Sequence, residues 1–128
     1  MNTNQQSQLF TELTPSEGAA VSGGAYLYID KIQAIKADAD TWSKDDTYIT
    51  VNGHKIWGNY GMGSGQKRDV RRWKRFNSSA RIELFDSDWG SDDNLGGFSV
   101  AKKSTNGLAR KRVRGSGSTY DVYYRVYA

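Results

Sequence analysis

Eight of this chain's 14 carboxylates fall in two short stretches, and these are the residues best placed for chemistry. One is Phe85-Asp86-Ser87-Asp88-Trp89-Gly90-Ser91-Asp92-Asp93-Asn94-Leu95-Gly96, which holds four acids and no base. The other is Asp38-Ala39-Asp40-Thr41-Trp42-Ser43-Lys44-Asp45-Asp46-Thr47-Tyr48. Carboxylates this close repel one another unless solvent or a cation screens them. The cation that suits clustered carboxylate oxygens is Ca²⁺, which takes about 6–8 oxygen ligands. The simpler reading is a pair of solvated acidic loops, the usual fate of charge runs.

The flanking residues say what must position these acids. Ala80-Arg81-Ile82-Glu83-Leu84-Phe85 alternates as a half-buried strand does, Gly96-Gly97 is expected to break the chain, and Phe98-Ser99-Val100 alternates again. The acids of Asp86–Asp93 are therefore expected on a loop between two strands. Tyr26 to Ile35 reads as a strand with a slip near Lys31, the mark of a bulge. Tyr48-Ile49-Thr50-Val51 and His54-Lys55-Ile56-Trp57 flank Asn52-Gly53, a strong hairpin signal. Gly58 to Gly65 reads as a Gly-rich loop, Asp69 to Phe76 as a basic strand, and Thr119 to Tyr127 as a last strand. Arg110 to Arg114 is basic around Val113. Six to eight short strands with frequent turns predict an all-β, antiparallel β-sandwich.

With these loops in place the chain resembles the C2 domain family. Calcium-binding C2 domains carry a first loop D-x5-D-P-Y and a third loop D-x-D-x5-D-x-[IL]-G. Asp40 and Asp46 stand at the first spacing, followed by Thr47-Tyr48, with Thr47 where proline is usual. Asp86, Asp88 and Asp93 stand at the third-loop positions before Asn94-Leu95-Gly96, in a loop one residue shorter between Asp88 and Asp93. The resemblance covers residues 25–128 and implies Ca²⁺ held by Asp40, Asp46, Asp86, Asp88 and Asp93. Asp38, Asp45 and Asp92 are possible further ligands or supporting groups. An EF-hand is excluded by spacing: counted from Asp38, its glycine falls at Ser43 and its bidentate Glu at Ile49.

Trp42 and Trp89 lie inside the acidic stretches. Either they dip into a lipid interface, where indole is favoured, or they fold back on the sandwich edge. Arg68, Arg71, Arg72, Lys74 and Arg75 surround Trp73. In C2 domains a basic strand of this kind often meets anionic phospholipid; basic residues among aromatics also suit nucleic acid, and a solvated sheet face is the plainer reading.

Residues 1–24 have a different character. They contain Glu12 and Glu17 and no Lys or Arg, so the rest of the chain carries all 18 basic and 12 of the acidic residues. Charge segregated this sharply points to an anionic partner for one surface and a cation for another. Thr14, Pro15 and Glu17 form a helix-start pattern that Gly23-Gly24 ends. The segment resembles the double-glycine leaders of peptide-bacteriocin export systems, matching at Leu13, Thr14, Glu17, Val21, Gly23 and Gly24. Gly18 stands where such leaders prefer a large aliphatic residue. The resemblance implies a cut after Gly24 by the peptidase of a transporter, and secretion of residues 25–128; the alternative is a flexible linker. A Sec signal is excluded, since the basic start and apolar core are missing.

Cysteine is absent, which removes disulfides and thiolate catalysis. His54 is the lone histidine, no G-x-S-x-G elbow occurs, and no base or nucleophile accompanies the acids, so no enzyme is expected. The expectation is a secreted calcium-binding C2-like module on an anionic membrane or other acidic partner. A bacteriocin-like effector is the alternative, and a nucleic-acid-binding β domain the next.

Overall fold

In Ala25–Lys36 (β1), Leu27, Ile29, Ile32 and Ala34 are fully buried, and Tyr26 and Tyr28 between them face outward. That alternation of apolar and polar faces is what a strand covering a core on one side requires. The computed structural model describes residues 23–38 and 44–128. The leader pattern up to Val21, together with Asp40 and Trp42, lies outside the described residues. Seven more strands follow: Asp45–Val51 (β2), His54–Met62 (β3), Lys67–Phe76 (β4), Ser79–Asp86 (β5), Asp93–Ala101 (β6), Ala109–Gly115 (β7) and Ser118–Tyr127 (β8).

They form two antiparallel four-stranded sheets, in the orders β4-β1-β8-β7 and β3-β2-β5-β6. The all-β antiparallel sandwich read from the sequence is the architecture found. Its core joins Leu27, Ile29, Ile32, Val122 and Tyr120 of one sheet to Ile49, Val51, Ile82, Leu84 and Leu95 of the other. Asn52-Gly53 closes the β2–β3 hairpin with both residues at positive φ, as its turn type demands. The slip near Lys31 is real: the register of β1 shifts between Ile29 and Lys31 against both neighbours.

Two expectations change. Gly96-Gly97 does not break the chain but lies inside β6. A Cβ on Gly96, at φ +112°, would sit 2.7 Å from the backbone N and O of Arg114. The glycine is there because β6 passes close against β7 of the other sheet, a non-local demand that sequence pattern does not show. Likewise Gly58 to Met62 continue β3, leaving only 63–66 as the loop before β4.

Antiparallel succession puts the β1–β2, β3–β4, β5–β6 and β7–β8 connections at one end of the sandwich. Hydrogen bonds tie them together there. The Ser87 amide donates to the Asp46 carbonyl at 2.9 Å. The Ala37 amide donates to Ser64 Oγ, and the Asp38 amide to Ser118 Oγ, each at 2.9 Å.

Candidate functional site

The acids of this end fall into distinct roles. Asp45 is fully buried at the start of β2, a carboxylate held inside the protein. Its Oδ2 accepts from Ser118 Oγ at 2.9 Å and from the Tyr120 hydroxyl at 2.8 Å. The Tyr120 hydroxyl also lies 2.9 Å from Thr47 Oγ1, so the network joins β8 of one sheet to β2 of the other. Burial pushes the Tyr120 phenol well above its ordinary pKa, which keeps it protonated as a donor.

Asp92 is taken up by hydrogen bonds within the protein. Its Oδ2 accepts from the Tyr48 hydroxyl and its Oδ1 from the Asp88 amide. The bond from Tyr48 holds the Asp92 carboxyl below the usual range. Burial first, then the bond to Asp92, raises Tyr48 to about 12. Asp38 is exposed and pairs with Lys36 at 3.6 Å.

Asp46, Asp86, Asp88 and Asp93 remain. Asp86 ends β5 and is buried; its Oδ1 accepts from the Asp46 amide at 2.6 Å. Asp93 begins β6 directly opposite Asp86 in the register. Asp46 and Asp88 line an open cleft of about 500 Å³ with Ser87, Trp89 and Gly90. Trp89 stands on its rim, 99% exposed, and does not fold back onto the sandwich. Among the described residues no three carboxylates come together into one cluster. The donors that face the cleft are hard oxygens, which fit an alkaline-earth ion and not a soft metal.

The basic cluster is divided by strand alternation. Arg68, Arg72 and Lys74 are paired with Ile32, Ile29 and Leu27, so they share the inward side of β4. Because β4 is an edge strand, that side opens on a cleft of about 510 Å³ against Trp57 and Tyr60 of β3, which Arg68 and Arg72 line. The Arg68 guanidinium lies 5.1 Å from the Tyr60 ring centre. Arg71 sits in the β4 bulge at φ +51° and pairs with Asp69 at 3.3 Å. Arg75 belongs to the outer face, opposite Tyr26, with its guanidinium lying over Gly24. Gly24 is thereby buried, and the Gly23 carbonyl accepts from Lys102 Nζ. The expected cleavage point is thus built into the edge of the folded domain.

No protein-family model and no curated protein matches the sequence. Solved structures do match. A structure of a C2 domain superposes with a TM-score of 0.54 at 18% identity, covering 82% of this chain and 98% of that one. The calcium-bound pair of C2 domains from extended synaptotagmin 2 gives 0.57 at 15%, covering 89% of this chain and 46% of that one. The fold is that of a C2 domain. A C2 domain of plant extended synaptotagmin 1 agrees, with 0.51 at 9% identity over 81% of this chain and 92% of that one. The C2 fold brings the loops of Asp46 and Asp86 together, as the resemblance implies. Sequence reasoning missed Tyr120 and Ser118 as the supports of that end, and Tyr28, Tyr127 and Arg125 as companions of Trp73. Strict alternation along β1 and β8 was the signal for the latter group.

Proposed function

We propose that the chain is a calcium-binding C2-like module that docks by its acidic end on an anionic surface, above all phospholipid. The observation that carries this is the meeting of the two acidic loops, with the Asp46 amide 2.6 Å from Asp86 Oδ1. Asp46, Asp86, Asp88 and Asp93 supply carboxylate oxygens, and Asp40 adds to them from the first loop. The ion supplies positive charge at an end that is otherwise negative, so the end turns from repelling anionic headgroups to attracting them. Trp89, fully exposed beside the cleft, enters the interface once the charge is offset. That one structure of this fold is the calcium-bound pair from extended synaptotagmin 2 supports the choice of ion. The module acts outside the cell, exported behind a double-glycine leader cut after Gly24 by its transporter's peptidase.

The test is sedimentation of the full chain with phosphatidylserine vesicles, read together with Trp89 fluorescence. Binding is expected with millimolar calcium and not with chelator, since extracellular modules work at dissociation constants on the order of 10⁻⁴–10⁻³ M. Asp88→Asn and Asp86→Asn should abolish it; Asn at 86 still offers an acceptor to the Asp46 amide. Vesicle binding that ignores calcium would overturn the proposal.

A further inference from the structure

The outer face of the β4-β1-β8-β7 sheet carries an arrangement that the calcium reading does not use. Register pairing sets out its rows. Arg75, Tyr26 and Tyr127 lie side by side, and the next row is Trp73, Tyr28 and Arg125. The row beyond is Lys31 and Tyr123, continued by Arg110 of β7. Rows on one face of a strand recur about every 6.6–6.8 Å, and strands lie about 4.8 Å apart, so these side chains form a close grid.

Three rings in this grid touch in series. Tyr28 and Trp73 have centroids 4.4 Å apart at 37°, and Trp73 and Tyr127 are 5.6 Å apart at 40°. All three are half-buried. Beside them, Lys31 Nζ stands 5.1 Å from the Tyr123 ring centre. The acids of this face are occupied. Asp121 is held by Arg112 through two bonds of 2.8 and 3.0 Å, with Arg110 at 3.6 Å. Asp69 is paired with Arg71, and Asp30 accepts from the Tyr28 hydroxyl at 3.5 Å. The face therefore presents aromatic planes ringed by net positive charge.

We propose that this sheet face binds single-stranded nucleic acid, with bases stacked on Tyr28, Trp73 and Tyr127 and phosphates met by Arg75, Arg125 and Lys31. Every base has a π-face, so such a platform accepts single strands with little regard to sequence. A duplex keeps its bases stacked inside and cannot use the rings. The charge complements a polyanion. The rings lie against one another and are half-buried, whereas a residue that enters a bilayer projects from the surface as Trp89 does, 99% exposed at the acidic end. The ring rows sit toward the start of β1, at the end of the sandwich away from the acidic loops. Binding here is accordingly independent of calcium.

The experiment measures anisotropy of short fluorescent oligothymidine and oligouridine with the full chain, in chelator, across a salt series. A duplex of the same length and phosphatidylserine vesicles serve as the other arms. Single strands are expected to bind more tightly than duplex. Trp73→Leu is expected to weaken single-strand binding about five- to a hundredfold, the cost of losing a stacking ring. Arg125→Gln should lower the salt slope by about one without changing the preference for single strands. Arg125 is exposed, so this variant keeps the test informative if Trp73→Leu fails to fold; Tyr127→Phe, which retains the ring, should bind as the wild type does. Equal affinity for duplex and single strand, an unchanged affinity in folded Trp73→Leu, or binding to vesicles alone in chelator would each overturn the proposal.

Discussion

Replacing Tyr120 by Phe removes one oxygen from the interior and nothing else. That oxygen donates to Asp45 Oδ2 at 2.8 Å and lies 2.9 Å from Thr47 Oγ1, and all three residues are fully buried. Phe fills the same space, so no cavity of consequence opens. What remains is a buried carboxylate that keeps the Ser118 hydroxyl at 2.9 Å but loses the phenol, and a buried threonine hydroxyl that loses its partner. A bond to a carboxylate is worth about 1.5–3 kcal/mol and a neutral one about 0.5–1.5, and the two are not additive because they share one hydroxyl. The expected loss is about 2–3 kcal/mol. For a domain near 100 residues this lowers the melting temperature by about 8–24 °C.

Urea and thermal unfolding of Tyr120→Phe, Asp45→Asn and the double variant measure it. A coupling energy of at least about 1 kcal/mol between the two sites is expected from residues in direct contact. The alkaline limb gives a second reading. The native pKa of Tyr120 is raised, so its contribution is whole below the unfolded value of about 10 and is lost as pH rises from there toward the native value. Tyr120→Phe should flatten that limb, leaving the share of Tyr48, whose pKa is also raised. A melting shift under about 2 °C, or strict additivity of the two substitutions, would refute the network as the bolt between the sheets.

Further outcomes follow from other contacts. Calcium at about 100 times its dissociation constant should stabilise the chain by roughly 2.7 kcal/mol, magnesium far less, and Asp88→Asn should abolish the shift. Asp121 is depressed by its bond to Arg112, so its contribution is present at neutral pH and is lost as pH falls below about 4 toward the native value. Asp121→Asn should cost about 1–2 kcal/mol at pH 7 and flatten the acid limb of a urea titration. Gly96→Ala places a methyl against Arg114 backbone that cannot yield, and should cost at least about 2 kcal/mol in chemical unfolding. The Gly24–Ala25 bond joins two buried residues, Ala25 being paired with Phe76. A double-glycine peptidase should therefore cut the unfolded or nascent chain and spare the folded one; equal cleavage of both would contradict this.

The parts of the fold legible in the sequence were those set by local pattern. Alternation found the strands, Asn52-Gly53 found a hairpin, and the slip near Lys31 found a bulge. The two acidic stretches were legible from their density of like charge. What escaped was set by distant contact. Asp45 reads as one more loop acid, and only the arrival of Ser118 and Tyr120 from β8 makes it an interior residue. Asp92 looks equivalent to Asp88 until Tyr48, on another strand, claims it. Gly96-Gly97 looks like a break because the backbone that demands it belongs to other strands, β7 for Gly96 and β5 for Gly97. The run from Arg68 to Arg75 looks like one basic patch, yet alternation about an edge strand sends its members to a cleft, a bulge and a flat face.

That division bears on the two surfaces proposed above. Asp45 and Asp92 are bound within the protein, so the acidic end presents fewer carboxylates than the sequence suggests, Asp46 and Asp88 among them at the open cleft. Their repulsion is relieved by an ion or by salt, and it is greatest when both are scarce. The outer sheet face holds its acids in internal pairs, and its positive field does not need a metal to be expressed. On the two proposals above, calcium offsets the negative charge of one surface and leaves the other as it was. The protein is then expected to respond to calcium in contact with lipid and to ionic strength in contact with single strands, as the two proposals together predict. Measuring both dependences on the same preparation separates the two surfaces without a single mutation.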